Sequence, residues 1–236
     1  MKKNICILVP LFSVAGFVLR RLQLANSYDA LGLIPRGDGL TIALNLLGVL
    51  GIAVVLLLCL RIPKADQSPL GGKPYAIGKL LSGALLLVSL LPPNMETPLS
   101  ILVCVLGFCA VISLCLEAFL QLGGKTGSLI GGCVLTVYLM VSLIAQYLEW
   151  SYVHMAADFI FPLLFGICCM IASFRLAAFR VGKGLRRRTL FYGSCALMFA
   201  GPVLADGGLS SILRTCALCI FLFCSLWPQM TIHTPE

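Results

Sequence analysis

Residues 40–60 read LTIALNLLGVLGIAVVLLLCL, twenty-one positions without a charge, closed by Arg61 and Pro63. At 1.5 Å per residue a helix of this length reaches ~32 Å, enough to cross the ~30 Å hydrocarbon core of a bilayer. That core offers no water to backbone N–H and C=O groups. A run of this kind is therefore stable there only as a helix, which satisfies its own polar groups. Seven further apolar runs share the same character, and Pro or Gly closes most of them, as Pro92-Pro93 and Gly123-Gly124 do. The pattern predicts helices over 4–23, 40–60, 76–92, 98–120, 128–148, 155–176, 189–205 and 209–230. The expected fold is all-α: a polytopic transmembrane helix bundle of about eight helices, in a single integral membrane domain over 1–236.

Composition excludes the soluble alternative. The chain is 60% hydrophobic with 11% charged residues and a mean hydropathy of +1.04, against ~25% charged residues in soluble domains. The first run is preceded by Lys2 and Lys3 and followed by Arg20 and Arg21, which reads as a retained signal anchor rather than a cleaved leader. The net charge of +8 follows from basic residues flanking the spans. No basic stretch is interleaved with stacking aromatics, so no nucleic-acid partner is expected. Assigning gaps alternately to the two faces puts 13 Lys and Arg on the side of the N-terminus and four, Arg20, Arg21, Arg36 and Arg214, on the other. The positive-inside bias then places both termini in the cytoplasm. Twelve cysteines all fall inside apolar runs, where they act as small buried residues rather than a disulfide framework. Cys216 and Cys219 form a C-x-x-C without a second pair or a neighbouring histidine, so no metal or cofactor is expected. The halves of the chain share no repeat.

Several motifs bear on packing. Gly123, Gly127 and Gly131 recur every four residues and read as a small-residue seam on helix five, suited to close approach of a neighbour. Gly124-Lys125-Thr126 resembles the end of a phosphate-binding loop, but Phe119 stands where the pattern needs its first glycine. Glu117, near the cytoplasmic end of helix four, is expected to pair with Lys79 or Lys125. The basic segment 174–188 is expected to continue helix six along the cytoplasmic interface, attracted to anionic lipid.

The polar cluster near the outer leaflet carries the functional reading. On helix five Tyr138, Ser142, Gln146 and Glu149 follow steps of four, four and three, which stacks them on one face. His154 and Asp158 open helix six, and Arg214 lies ~7.5 Å into helix eight. Helix one ends in Arg20, Arg21 and Gln23. A charge at depth costs about 2.5 to 3.5 kcal/mol on insertion scales, so such groups face a bundle interior or wet cavity and pair. Arg214 is expected to pair with Asp158 or Asp206, beside an outward-open pocket. The candidate ligand-binding residues are Arg20, Gln146, Glu149, His154, Asp158, Asp206 and Arg214, with no catalytic or metal-binding residue assigned.

The stretch Leu19-Arg20-Arg21-Leu22-Gln23-Leu24, followed by Gly32-Leu33-Ile34-Pro35-Arg36-Gly37, resembles the N-terminal hallmark of uncharacterised multi-pass membrane proteins of gut Clostridia. The resemblance covers about the first 40 residues and the general hydropathy. It implies a bacterial plasma membrane and marks Arg20, Arg21 and the Gly-Leu-Ile-Pro loop as a functional surface, without supplying a catalytic residue.

Three function classes follow. The first is a small-molecule permease or ligand-binding membrane protein using the outer polar pocket. The second is a non-catalytic partner or sensor subunit, docking another protein or lipid through basic cytoplasmic loops. The third, an enzyme working through His154 and Asp158, is the least supported, since a lone His-Asp pair at a helix start is more often a structural hydrogen bond. Besides the bilayer, the partners expected are a small-molecule ligand or a protein.

Overall fold

The computed structural model describes residues 2–27, 38–62, 73–91, 97–124, 129–151 and 159–231. They form eight helices: α1 Lys2–Asn26, α2 Gly39–Leu60, α3 Lys73–Ser89, α4 Pro98–Leu122, α5 Leu129–Ser151, α6 Ile160–Phe179, α7 Arg186–Asp206 and α8 Leu209–Thr231. Seven of them are long and apolar enough to cross a membrane, so the chain is a multi-pass helical membrane protein. The exception is α3, whose 17 residues span ~26 Å. It nevertheless runs from one end of the bundle to the other. Lys79, in its first half, pairs with Glu117 near the C-terminal end of α4, while Ser89 at its last turn accepts a hydrogen bond from Ser210, at the start of α8. These two levels are called the Glu117 end and the Arg214 end below.

The helices from α3 to α8 form a ring. Each packs against its successor in the chain, and α8 closes on α3. Outside this ring α1 and α2 pack against α7 and each other, leaving α7 enclosed on most sides. This explains an inversion: α7 has the lowest hydropathy of the seven spanning helices, 1.2, yet 72% of that span is buried, against 22% for α2 and 28% for α4, the two spans of hydropathy 2.8. A helix surrounded by protein can carry Gly193, Ser194 and Thr189, all buried, where a lipid-facing helix needs Leu and Val.

Close backbone approach holds α1 to α7. A Cβ on Gly201 would lie 1.8 Å from the Ser13 carbonyl oxygen, and one on Gly16 would lie 2.9 Å from Pro202 Cγ. Hydroxyls within the spans bond back to their own helix, as Ser173 Oγ does to the Cys169 carbonyl (2.8 Å) and Ser225 Oγ to the Phe221 carbonyl (2.5 Å). These two side chains thus sit in the apolar zone without a lost hydrogen bond. All twelve cysteines are free thiols.

Two expectations are corrected. Gly123 is the C-cap of α4 and Gly127 lies outside the described residues, so the three glycines do not make one seam on α5. Gly131 instead accommodates Glu117, whose Oε1 would lie 2.4 Å from an added Cβ, and Gly132 packs on Ala177 of α6. The basic segment does not continue α6 either. Helix α6 stops at Phe179, Gly182 adopts φ +71°, and Arg186–Arg188 open α7. There Arg186 donates to the Gln229 carbonyl and Arg187 to the Ile62 carbonyl. The Gln229 carbonyl is among those that the C-terminal end of α8 leaves without intrahelical donors, at the negative end of its dipole, and the Ile62 carbonyl lies two residues beyond the end of α2. Arg186 and Arg187 therefore tie the start of α7 to the end of α8 and to the segment after α2, and burial of Arg186 (2% exposed) follows from that.

Candidate functional site

The Arg214 end gathers polar side chains from five helices. Buried Arg20 on α1 donates from Nε to Asp206 Oδ1 on α7 (2.6 Å) and from Nη1 to Gln23 Oε1 (2.6 Å). Gln23 Nε2 donates to Thr41 Oγ1 (2.6 Å), and Thr41 Oγ1 donates in turn to Asp38 Oδ2 (2.8 Å). One chain of hydrogen bonds so links α1, α2 and α7, with two charge-assisted contacts anchored on Arg20. Asp38 is the N-cap of α2, where it also accepts from the Thr41 backbone N–H (2.9 Å). The Thr41 hydroxyl is the main cause that holds the Asp38 carboxyl below its ordinary value of 3.8.

Arg214 makes a different connection. From α8 it reaches α5 across the interior of the ring. Its Nη1 donates to Ser142 Oγ (3.3 Å). With the Gln146 amide oxygen turned toward the guanidinium, Nη1 and Nη2 donate to it at 2.8 and 2.5 Å. This bridge separates two lobes of one vestibule. The larger lobe, about 420 Å³, is bounded by α5, α6, α7, α8 and Arg20, and the smaller, about 350 Å³, by α3, α4, α5 and α8. Arg214, Ser142 and Gln146 line both lobes.

Below the vestibule the ring closes. Leu135, Tyr138 and Leu139 on α5 are all under 5% exposed, as are Leu114 on α4 and Phe221 on α8. One helical repeat farther, the interior holds a cavity of only about 20 Å³, beside Lys79, Glu117 and Arg180. Lys79 and Glu117 are buried against each other, and the Lys79 ammonium also sits 4.5 Å from the Tyr75 ring centroid. About 16 Å of α5 separates Ser142 from Gly131, which faces Glu117.

The structure brings Arg20, Gln146, Asp206 and Arg214 to the larger lobe and places Glu149, at the exposed end of the α5 stripe, on the smaller one. His154 and Asp158 lie outside the described residues, as does the Gly-Leu-Ile-Pro loop. Of the two pairings expected for Arg214, the one with Asp158 falls outside the described residues and the one with Asp206 is corrected: Arg20 forms an ion pair with Asp206, and Arg214 turns to α5. The reason is packing. Asp206 ends α7, the helix on which α1 lies closest, so Arg20 meets it first. The ion pair of Glu117 with Lys79 is as expected. Asp38 and Thr41 were not expected in the polar network; the D-x-x-T spacing at a helix start was the signal that would have found them. No protein-family model, curated protein or solved structure matches this chain.

Proposed function

We propose that this protein binds a small molecule in the two-lobed vestibule, as a permease or ligand-binding protein of a bacterial plasma membrane, with the Arg214 end facing out of the cell. The vestibule carries the reading: a concave site of several hundred cubic ångströms inside a closed helical ring, apolar in most of its lining, with a few charged groups held in place by paired contacts. The orientation is supported by the basic residues at the opposite end, Arg61, Lys73, Arg175, Lys183 and Arg188 among them, against Arg20, Arg21 and Arg214 here. The resemblance of the first 40 residues to Clostridial membrane proteins supports the cellular setting.

The apolar layer under the vestibule and the Lys79–Glu117 pair beyond it correspond to a form open on one side and shut on the other. A permease would pass its substrate only if that pair and layer parted. The partner-subunit reading has weaker support, because Arg186 and Arg187 are already engaged with carbonyls of α8 and of Ile62, just beyond α2.

The test is a thermal-stability screen of the purified full-length chain against small metabolites, run beside Ser211→Trp, which fills the larger lobe. Compounds that stabilise the wild type and not Ser211→Trp are expected. A screen in which every stabilising compound acts equally on both proteins contradicts the proposal.

A further inference from the structure

We infer that the ligand of the larger lobe is a small organic anion, its oxyanion held by Arg214 and its apolar body lying against Phe159 and Phe165; this rests on the vestibule being a ligand site. Charge separates the classes of ligand. Within the larger lobe, Arg20 and Asp206 neutralise each other at 2.6 Å. Among the described residues the partners of Arg214 are neutral, Ser142, Gln146 and the Tyr138 hydroxyl, and no carboxylate lies within ion-pair distance of it. Among the described residues of the larger lobe, Arg214 is therefore a positive charge with no carboxylate paired to it. The smaller lobe is also lined by the carboxylate of Glu149, which repels an anion, so an anion belongs on the α6–α7 side.

A guanidinium offers five N–H donors in a planar fork that matches a carboxylate or phosphate, more than its neutral partners occupy. A cation inside a membrane bundle without a counter-charge is costly, and an arriving anion offsets that cost. The remaining lining is apolar, with Leu139, Leu143 and Pro162 beside the two phenylalanines. Such a wall suits a hydrocarbon or aromatic body better than a sugar, and a single positive charge suits a monoanion better than a polyanion.

A monoanionic oxyanion could come from solution or from a lipid headgroup. The experiment therefore has two arms. In a neutral maltoside detergent, the thermal unfolding of the full chain is followed with benzoate and hexanoate, and with their uncharged amides. The acids are expected to stabilise at concentrations roughly tenfold or more below the amides, as a charge-assisted contact would give. Arg214→Gln should erase that preference, and Arg214→Lys should keep part of it. Ser211→Asp, which adds a carboxylate to the lobe without removing Arg214, should also erase it and covers the case in which Arg214→Gln misfolds. In the second arm, nanodiscs with and without phosphatidylglycerol are compared. Weaker benzoate binding in the anionic discs, for wild type and not for Arg214→Gln, assigns the site to a headgroup; equal binding assigns it to a soluble acid. Equal stabilisation by acids and amides overturns the anion and leaves the vestibule as a ligand site. Stabilisation by neither overturns both.

Discussion

Lys79 and Glu117 show how much a single charged residue in an apolar helix can reveal. Each is under 6% exposed, and each finds its partner on the neighbouring helix. Breaking one side of such a pair leaves an unpaired charge, so Glu117→Gln or Lys79→Met alone should cost about 3–5 kcal/mol, while the double variant Lys79→Met/Glu117→Leu should recover most of it. A double-mutant cycle on unfolding in detergent measures this, and additive losses would mean the groups act independently. Gly131→Ala should fall in the same class, because its Cβ would displace the Glu117 carboxylate. Asp38 gives a pH-dependent case. Its carboxyl is held below 3.8, first by the Thr41 hydroxyl, so its contribution is complete above that value and is lost as pH falls through the lowered one. Asp38→Asn should flatten this part of an acid-unfolding profile, and Thr41→Val should weaken it. The pairing of Glu117 was legible in the sequence, since a carboxylate among leucines requires a cation nearby. The bond from Gln23 to Thr41 was not, because two neutral polar groups on different helices leave no periodic signature.

At the scale of helices, apolar length was a dependable guide to how many there are and a poor one to where they end. Helix α7 begins at Arg186 rather than at residue 189, because a run of three arginines reads as loop until Ile62 and Gln229 offer them carbonyls. Hydropathy also hides which helix is central. The lowest value among the spans belongs to α7, the most enclosed of them, whose glycines make close contacts on two sides, Gly201 with Ser13 of α1 and Gly193 with Leu226 of α8. Gly201→Val should therefore force α1 and α7 apart, lowering stability by at least about 1–3 kcal/mol and loosening the Arg20–Asp206 pair with it. Gly201→Ser, smaller but still with a Cβ, should be intermediate. In the connection before α7, Gly182 at φ +71° makes Gly182→Ala cost about 1–2 kcal/mol. Unfolding midpoints of the purified variants check both, and an unperturbed Gly201→Val would mean that the two helices are not in contact.

For the whole molecule, the sequence supplied the helix count, the all-α class and the asymmetry of charge, all properties set by composition along the chain. It could not supply the closure of α8 on α3, which makes a ring out of six consecutive helices. Contacts between distant segments leave no local pattern. The polar stripe on α5 and Arg214 on α8 were both visible beforehand; that they meet across the ring and divide its vestibule was not. The proposed role depends on which side of the membrane that vestibule faces. Cysteine replacement tests this directly, with Ser211→Cys at the larger lobe and Lys183→Cys on the exposed turn between α6 and α7, each treated in intact cells with a membrane-impermeant thiol reagent. Residue 211 should react and residue 183 should stay protected until the cells are permeabilised. Reaction at 183 with protection at 211 would turn the protein over in the membrane and contradict the outward-facing site.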